Sequence, residues 1–352
     1  MGKQPYSRKK RGSILLFALW SLLLLTTFAV TLGVIVRQKI TLVVRLEERN
    51  RLHLIAQSGV KKAVVVLNTI FQVNDTPDFV TTKQKRHNNE DQFGNILLGE
   101  GSIEIAYEDS HKGASPEKHY GIIDEGSKIN ANTADIATVK SLIKNVLHWK
   151  EEAVDSLALA IADWRGFHES EMTGFNSDKY YENLEDPYAA KDSAFEVIDE
   201  LLLVKGMNGE ILDQLRPYLT IYGDGRVNIN TAPAAVLVSL GLSDDLVKKI
   251  LAVRQGPDGI EATGDDHVFQ NIYNLQSELE TSLTLTNENV SEINALVKSQ
   301  KLIAFSRYYL VQSRARLNKP GPQNTVRCVY DTQNHRIEYW REFYEVVKEV
   351  VN

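Results

Sequence analysis

The chain has 352 residues, 43% of them hydrophobic and 24% charged, with a formal net charge of −6. That is ordinary globular composition with room for two domains and a real core. The acidic balance argues against nucleic acid as an obligate partner, because phosphate binding needs a net basic face. The single cysteine, Cys328, excludes an intramolecular disulfide.

Residues 1–12 form a basic head, Lys3 with Arg8-Lys9-Lys10-Arg11, ending in Gly12. Residues 13–36 follow with no charge over 24 positions. About 20 apolar residues in a helix already span a bilayer core, so this segment predicts a transmembrane helix. The basic head stays on the cytoplasmic side, and everything after Arg37 lies outside. The apolar run is longer than a secretory signal core, and no small-x-small cleavage site follows it. The five positive side chains of the head matter for charge: a chain cut after Gly12 carries −11.

Beyond the membrane the helix is expected to continue. Arg45, Glu47, Glu48, Arg49 and Arg51 place opposite charges at helical spacing, and Leu46, Leu52, Ile55, Ala56, Val60, Ala63 and Val64 keep an apolar face. Gly59 interrupts it as a poor helix former. Residues 74–99 read as a loop with a helical turn. Residues 102–107 and 120–124 read as strands around a turn-rich stretch.

From Asn130 to about Gln300 the pattern becomes helical. Lys128-Ile129-Asn130-Ala131-Asn132-Thr133-Ala134 returns 98 positions later as Arg226-Val227-Asn228-Ile229-Asn230-Thr231-Ala232, so two related helical units are expected. Asn132-Thr133-Ala134 and Asn230-Thr231-Ala232 read as helix N-caps, with Pro233 in the first turn. Strands return after Ile303: residues 308–317, 325–330 and 336–343 alternate and predict an antiparallel set. Strands on both sides of a helical block imply a sheet domain with a helical domain inserted.

Two acidic loops carry the oxygens that Ca²⁺ takes, about six to eight per ion. The first is 256–266, with Asp258, Glu261, Asp265 and Asp266. The second runs from Asp163 to Tyr181 and includes Glu169, Glu171 and Asp178. The alternative for both is a solvated acidic loop. Enzymatic chemistry finds no foothold. The eight histidines are scattered without a zinc-ligand spacing, there is no Gly-x-Ser-x-Gly elbow, and Cys328 has no activating partner. The helical units also resemble helix-hairpin-helix DNA-binding modules. However, Gly206-Met207-Asn208 and Gly241-Leu242-Ser243 lack the second glycine, and their surroundings are mixed or acidic.

Taken together, these features resemble the minor pseudopilin K family of type II secretion systems. The marks are Lys9-Lys10-Arg11-Gly12, the apolar helix and the two Asn-x-Asn-Thr-Ala segments. Ala162-Asp163-Trp164, Leu203-Val204-Lys205-Gly206-Met207 and Leu215-Arg216-Pro217-Tyr218-Leu219-Thr220 add to them. The resemblance implies an α+β, pilin-like fold, with a long N-terminal transmembrane helix packed on an antiparallel sheet and a large all-α inserted domain. It implies a leader at 1–12, a transmembrane helix at 13–36, a pilin-like domain split between 37–128 and 303–352, and an inserted domain at 129–302. It implies cleavage after Gly12 by a prepilin peptidase, N-methylation of Ser13, and a place in the inner membrane with the C-terminal domain in the periplasm. The implied partners are the minor pseudopilins I and J at the tip of the pseudopilus.

Most pilins carry Glu at the fifth mature position, where this chain has Phe17, which is also the pattern of the K subfamily. The family's calcium segment resembles the Asp163–Tyr181 loop, but Gly166 and His168 replace acids there. A minor pilin of a type IV pilus is the alternative within the same class. A membrane-anchored DNA receptor is the alternative outside it.

Overall fold

The computed structural model describes residues 12–72, 88–109, 117–166, 177–261 and 263–345. The chain divides into two compact units, Met1–Leu54 and Ile55–Asn352.

The first unit holds most of helix α1, which spans Gly12–Gln72. It is long and apolar enough to cross a membrane, and its apolar window is fully exposed. Its polar side chains suit that setting. Thr26 and Thr27 donate their hydroxyls to the Leu23 carbonyl at 2.9 and 2.8 Å, and Thr31 donates to Thr27 O at 2.8 Å. Each hydroxyl is thus satisfied inside the helix, as an apolar solvent requires. Glu47 and Arg51 then pair at 2.6 Å, one turn apart.

The second unit begins with residues 55–72 of α1. Ala56, Val60, Ala63 and Leu67 form its buried stripe at helical period. Short elements follow: α2 (Glu90–Phe93), β1 (Ile96–Leu98), β2 (Gly101–Ile105), β3 (Tyr107–Asp109), β4 (Glu117–His119) and β5 (Ile123–Asp124). The strand expected at 102–107 breaks at Ala106, and residues 120–122 lie outside the strands on either side.

A helical block comes next: β6 (Ile129–Asn130), α3 (Ile136–Leu147), α4 (Glu151–Trp164), α5 (Asp178–Glu182), α6 (Gly209–Leu215), β7 (Leu219–Thr220), β8 (Val227–Asn228), α7 (Ala234–Ser239), α8 (Asp244–Arg254), α9 (Leu275–Ser282), α10 (Asn287–Lys298) and β9 (Leu302–Ile303). One hydrophobic cluster runs through it from Ile129 to Leu302. The chain closes with β10 (Tyr308–Leu317), β11 (Gln323–Asp331) and β12 (Arg336–Glu345).

The main sheet is antiparallel, in the order β1-β2-β10-β11-β12, with β5 also on β10. Strands from before and after the helical block therefore share one sheet. In β10, Tyr309, Val311, Ser313 and Ala315 are buried and alternate with less buried residues. Ser313 lies on the α1 side, because its hydroxyl donates to Ala56 O at 2.9 Å. Gly59 explains itself at the same contact: a Cβ there would lie 2.1 Å from Ser313 Oγ and 3.1 Å from Ser313 Cβ. The glycine costs helix propensity but lets helix and sheet approach. Tyr330 adds a second tie, donating to Asn68 Oδ1 at 3.0 Å.

The end of β11 is pinned to the start of β10. Arg307 holds the buried Asp331 carboxylate through Nε at 2.7 Å and Nη2 at 2.6 Å, while the Gln333 and Asn334 amides donate to it at 2.9 and 3.2 Å. The Arg307 hydrogen bond holds the Asp331 pKa down at about 2. A depressed folded pKa stabilises above the unfolded value, near 4, and that stabilisation is lost as pH falls through about 2. The stability gap between the parent and Asp331→Asn, measured by denaturant titration, should be constant above pH 5. It should shrink by about 2 kcal/mol towards pH 2.

Candidate functional site

The repeated Asn-x-Asn segments build the centre of the helical block. In the first helical repeat β6 pairs in parallel with β7, and in the second β8 pairs in parallel with β9. The first asparagine of each motif closes its own turn: Asn130 Oδ1 accepts from Asn132 N at 2.8 Å, and Asn228 Oδ1 from Asn230 N at 3.0 Å. The second asparagine reaches out and clamps a distant backbone. Asn132 accepts from Phe195 N at 2.7 Å and donates to Phe195 O at 3.0 Å. Asn230 does the same to Phe269 at 2.8 and 2.9 Å and also donates to Ala304 O at 3.0 Å. An arginine ending the second helix of each unit completes the pattern. Arg165 donates to Ala134 O at 2.5 Å and Arg254 to Ala232 O at 2.6 Å.

These contacts correct the expected caps. Asp135 caps α3, its side chain accepting from Thr138 N, and Pro233 occupies the N-cap position of α7. The asparagines are occupied as clamps instead. Arg165 and Arg254 were not singled out from sequence. Their only signal was an arginine at the same place after each second helix.

Asp124 joins the second motif to the sheet domain. Its buried carboxylate accepts from Asn228 Nδ2 at 2.9 Å, Thr231 Oγ1 at 2.6 Å and Gly126 N at 2.8 Å. Beside this junction lies an open cleft of about 390 Å³, bordered by Asn130, Tyr222, Arg226, Arg307 and Tyr308. Its charges are paired: Lys128 with Glu125 at 2.5 Å, Arg226 with Asp224 at 2.7 Å, and Arg307 with Asp331. Burial pushes the Tyr222 hydroxyl pKa far up. These groups position chain; none is set as a nucleophile beside a base. Cys328 is buried in β11, and burial raises its thiol to about 12, so it packs rather than reacts.

One of the two hairpins that resemble DNA-binding modules is already occupied. Ser243 caps α8, and both its amide and its hydroxyl donate to Glu292, at 3.0 and 2.9 Å. A carboxylate of the chain itself thus sits where a phosphate would have to bind. At the other hairpin Asn208 caps α6, a helix of seven residues.

The acidic residues proposed for calcium are spent differently. Asp265 accepts from Thr263 Oγ1 at 2.6 Å and from Asp258 N at 3.1 Å, and the Thr263 bond holds its pKa low. Asp258 accepts from Ile260 N at 2.7 Å. Glu261 faces the buried Arg254 at 3.2 Å, and Asp266 is buried beside the same cation. As folded, this donor set does not fit a calcium cage, since a guanidinium already holds the place of the ion for Glu261. Among the described residues no group of three or more His, Cys, Asp or Glu side chains is placed to hold a metal. In the other loop Asp163 accepts from Ser177 N at 3.1 Å, and Asp178 opens α5. Glu169 and Glu171 lie outside the described residues. Gly12 begins α1, and Ser13 is exposed on it.

Comparison with known proteins agrees with this architecture. Residues 121–224 match the family model "Type II secretion system (T2SS), protein K". A 138-residue stretch is 30% identical to type II secretion system protein K of Aeromonas hydrophila, covering 37% of this chain. That stretch spans 41% of the Aeromonas protein's own length. The fold resembles a chain of the GspK-GspI-GspJ complex from enterotoxigenic Escherichia coli with a TM-score of 0.58 and 14% identity. The match covers 87% of this chain and 99% of that one. The family match falls on the first Asn-x-Asn unit, and the solved structure shares the fold; over that unit this chain is similar to type II secretion system protein K.

Proposed function

We propose that this chain is the minor pseudopilin at the tip of a type II secretion pseudopilus, where it starts assembly and supports export across the outer membrane. Its role is structural rather than enzymatic. In this reading α1 crosses the inner membrane once, with residues 1–12 in the cytoplasm and the folded part in the periplasm. Prepilin peptidase cuts after Gly12, and Ser13 becomes the methylated N-terminus. Residues 37–128 and 303–352 form the pilin-like domain, and residues 129–302 form a domain inserted into it that caps the fibre. The K protein of the E. coli structure is solved with GspI and GspJ, and we carry that partnership over to this chain.

The observation that best supports the tip position is Phe17, fully within the uncharged stretch and 75% exposed. A carboxylate at that depth costs several kcal/mol unless it meets a neighbour's ammonium. The first subunit of a filament has no earlier neighbour, so an apolar residue suits it. Mass spectrometry of the protein from membranes tests the processing. The expected N-terminus is methyl-Ser13; intact Met1, or cleavage near residue 36, would remove the prepilin reading.

A further inference from the structure

The face of the main sheet opposite α1 is basic, although the chain as a whole is acidic. Register sets its members. Ser313 and Ala315 point to the α1 side, so Arg314 and Arg316 of β10 point away from it. Gln312 pairs with Arg327 of β11, and Arg327 pairs with Arg341 of β12, so these also lie on the outer face. Arg216, at the end of α6, reaches the same place, and Lys118 of β4 joins at the other side.

The carboxylates here are fewer than the cations. Glu104 serves Lys118 at 2.7 Å, Arg314 at 2.8 Å and Arg316 at 3.7 Å. Asp199 is shared by Arg216 at 2.6 Å and Arg341 at 2.5 Å, with Asp213 a further 3.8 Å contact of Arg216. Glu345 lies at the far end of the face, opposite Gln323.

Arg327 is the unusual member. It is half-buried, and among the described residues its side chain makes one hydrogen bond, to Gln312 Oε1 at 3.1 Å, and no ion pair. Its guanidinium lies 5.3 Å from the Phe343 ring, which Arg341 also approaches at 4.8 Å. Two like charges directly opposite on an antiparallel pair destabilise it. Burial, then Arg216 and Arg341, push the Arg327 pKa below its ordinary range.

We propose that this outer sheet face, centred on Arg327, Arg341 and Phe343, is a docking site for an acidic segment of a partner protein. The excess of forked guanidiniums over carboxylates calls for carboxylate oxygens, which arginine binds bidentately. An aromatic ring flanked by one half-buried and one exposed arginine is the composition of an interface hot spot. A short acidic segment fits better than nucleic acid, because a long polyanion would run off this patch onto a chain of net charge −6.

The test uses the full chain in a neutral detergent and a fluorescent peptide of alternating glutamate and alanine, with its glutamine counterpart as control. Only the acidic peptide should bind, and raised salt should weaken it. Arg327→Gln should weaken binding by about tenfold or more. The melting temperature of Arg327→Gln should equal or exceed that of the parent, because the opposed like charge is gone. Arg316→Gln, at an exposed position, provides a second arm and should weaken binding several-fold without loss of stability. Equal binding by parent and both variants, or a lowered melting temperature in Arg327→Gln, would overturn the proposal in favour of a packing role. Tighter binding of duplex DNA or of anionic phospholipid vesicles than of the peptide would overturn the assignment to a protein partner.

Discussion

Asn230→Ala is expected to lower the stability of the helical block by about 3 kcal/mol or more. The side chain is buried and makes three hydrogen bonds that reach beyond its own motif, to Phe269 N, Phe269 O and Ala304 O. Alanine strands one donor and two acceptors, and each unsatisfied buried group costs roughly 1–3 kcal/mol. Asn132→Ala removes two such bonds at a less buried position and should cost less, about 2 kcal/mol. Urea titration of the full chain in neutral detergent, followed by tryptophan emission, measures both. If the order were reversed, or Asn230→Ala cost under about 1 kcal/mol, the clamp would not be what holds the second helical repeat together.

Gly59→Val is the other large effect, expected at about 3 kcal/mol. Any Cβ at this position drives into Ser313, whose hydroxyl is held by Ala56 O, so the helix must move off the sheet or the hydrogen bond must break. Gly209→Ala is the control. Its Cβ would meet nothing within 4 Å, and it should be neutral or slightly stabilising in α6. A tolerated Gly59→Val would show that residues 55–72 do not rest on β10 as described.

The fold was legible where one face of an element had to be buried. The alternation of residues 308–317 survives as β10 because Tyr309, Val311, Ser313 and Ala315 all face inward. The long helix was legible in two parts for two reasons, an uncharged stretch long enough to cross a bilayer and then an amphipathic one. What misled was chemistry with two uses. Asparagine oxygens cap helices and also clamp backbones, and the partner of Asn230 is Phe269, 39 positions away, where no local pattern reaches. The acids of the Asp258–Asp266 loop were hard to read for a related reason. Spacing shows that oxygens are near each other in sequence, but not that Arg254 and Thr263 already hold them. The basic sheet face was invisible because it depends on register between strands that are separate in sequence.

The most direct test of the central claim is assembly. Co-expressing this chain with the I and J minor pseudopilins of its own system, followed by detergent extraction and affinity capture on this chain, should give one complex containing all three. On sheared pseudopili, labelled protein should sit at one end. Failure to form the complex, or labelling along the whole filament, would contradict the tip assignment even with the pilin-like fold intact.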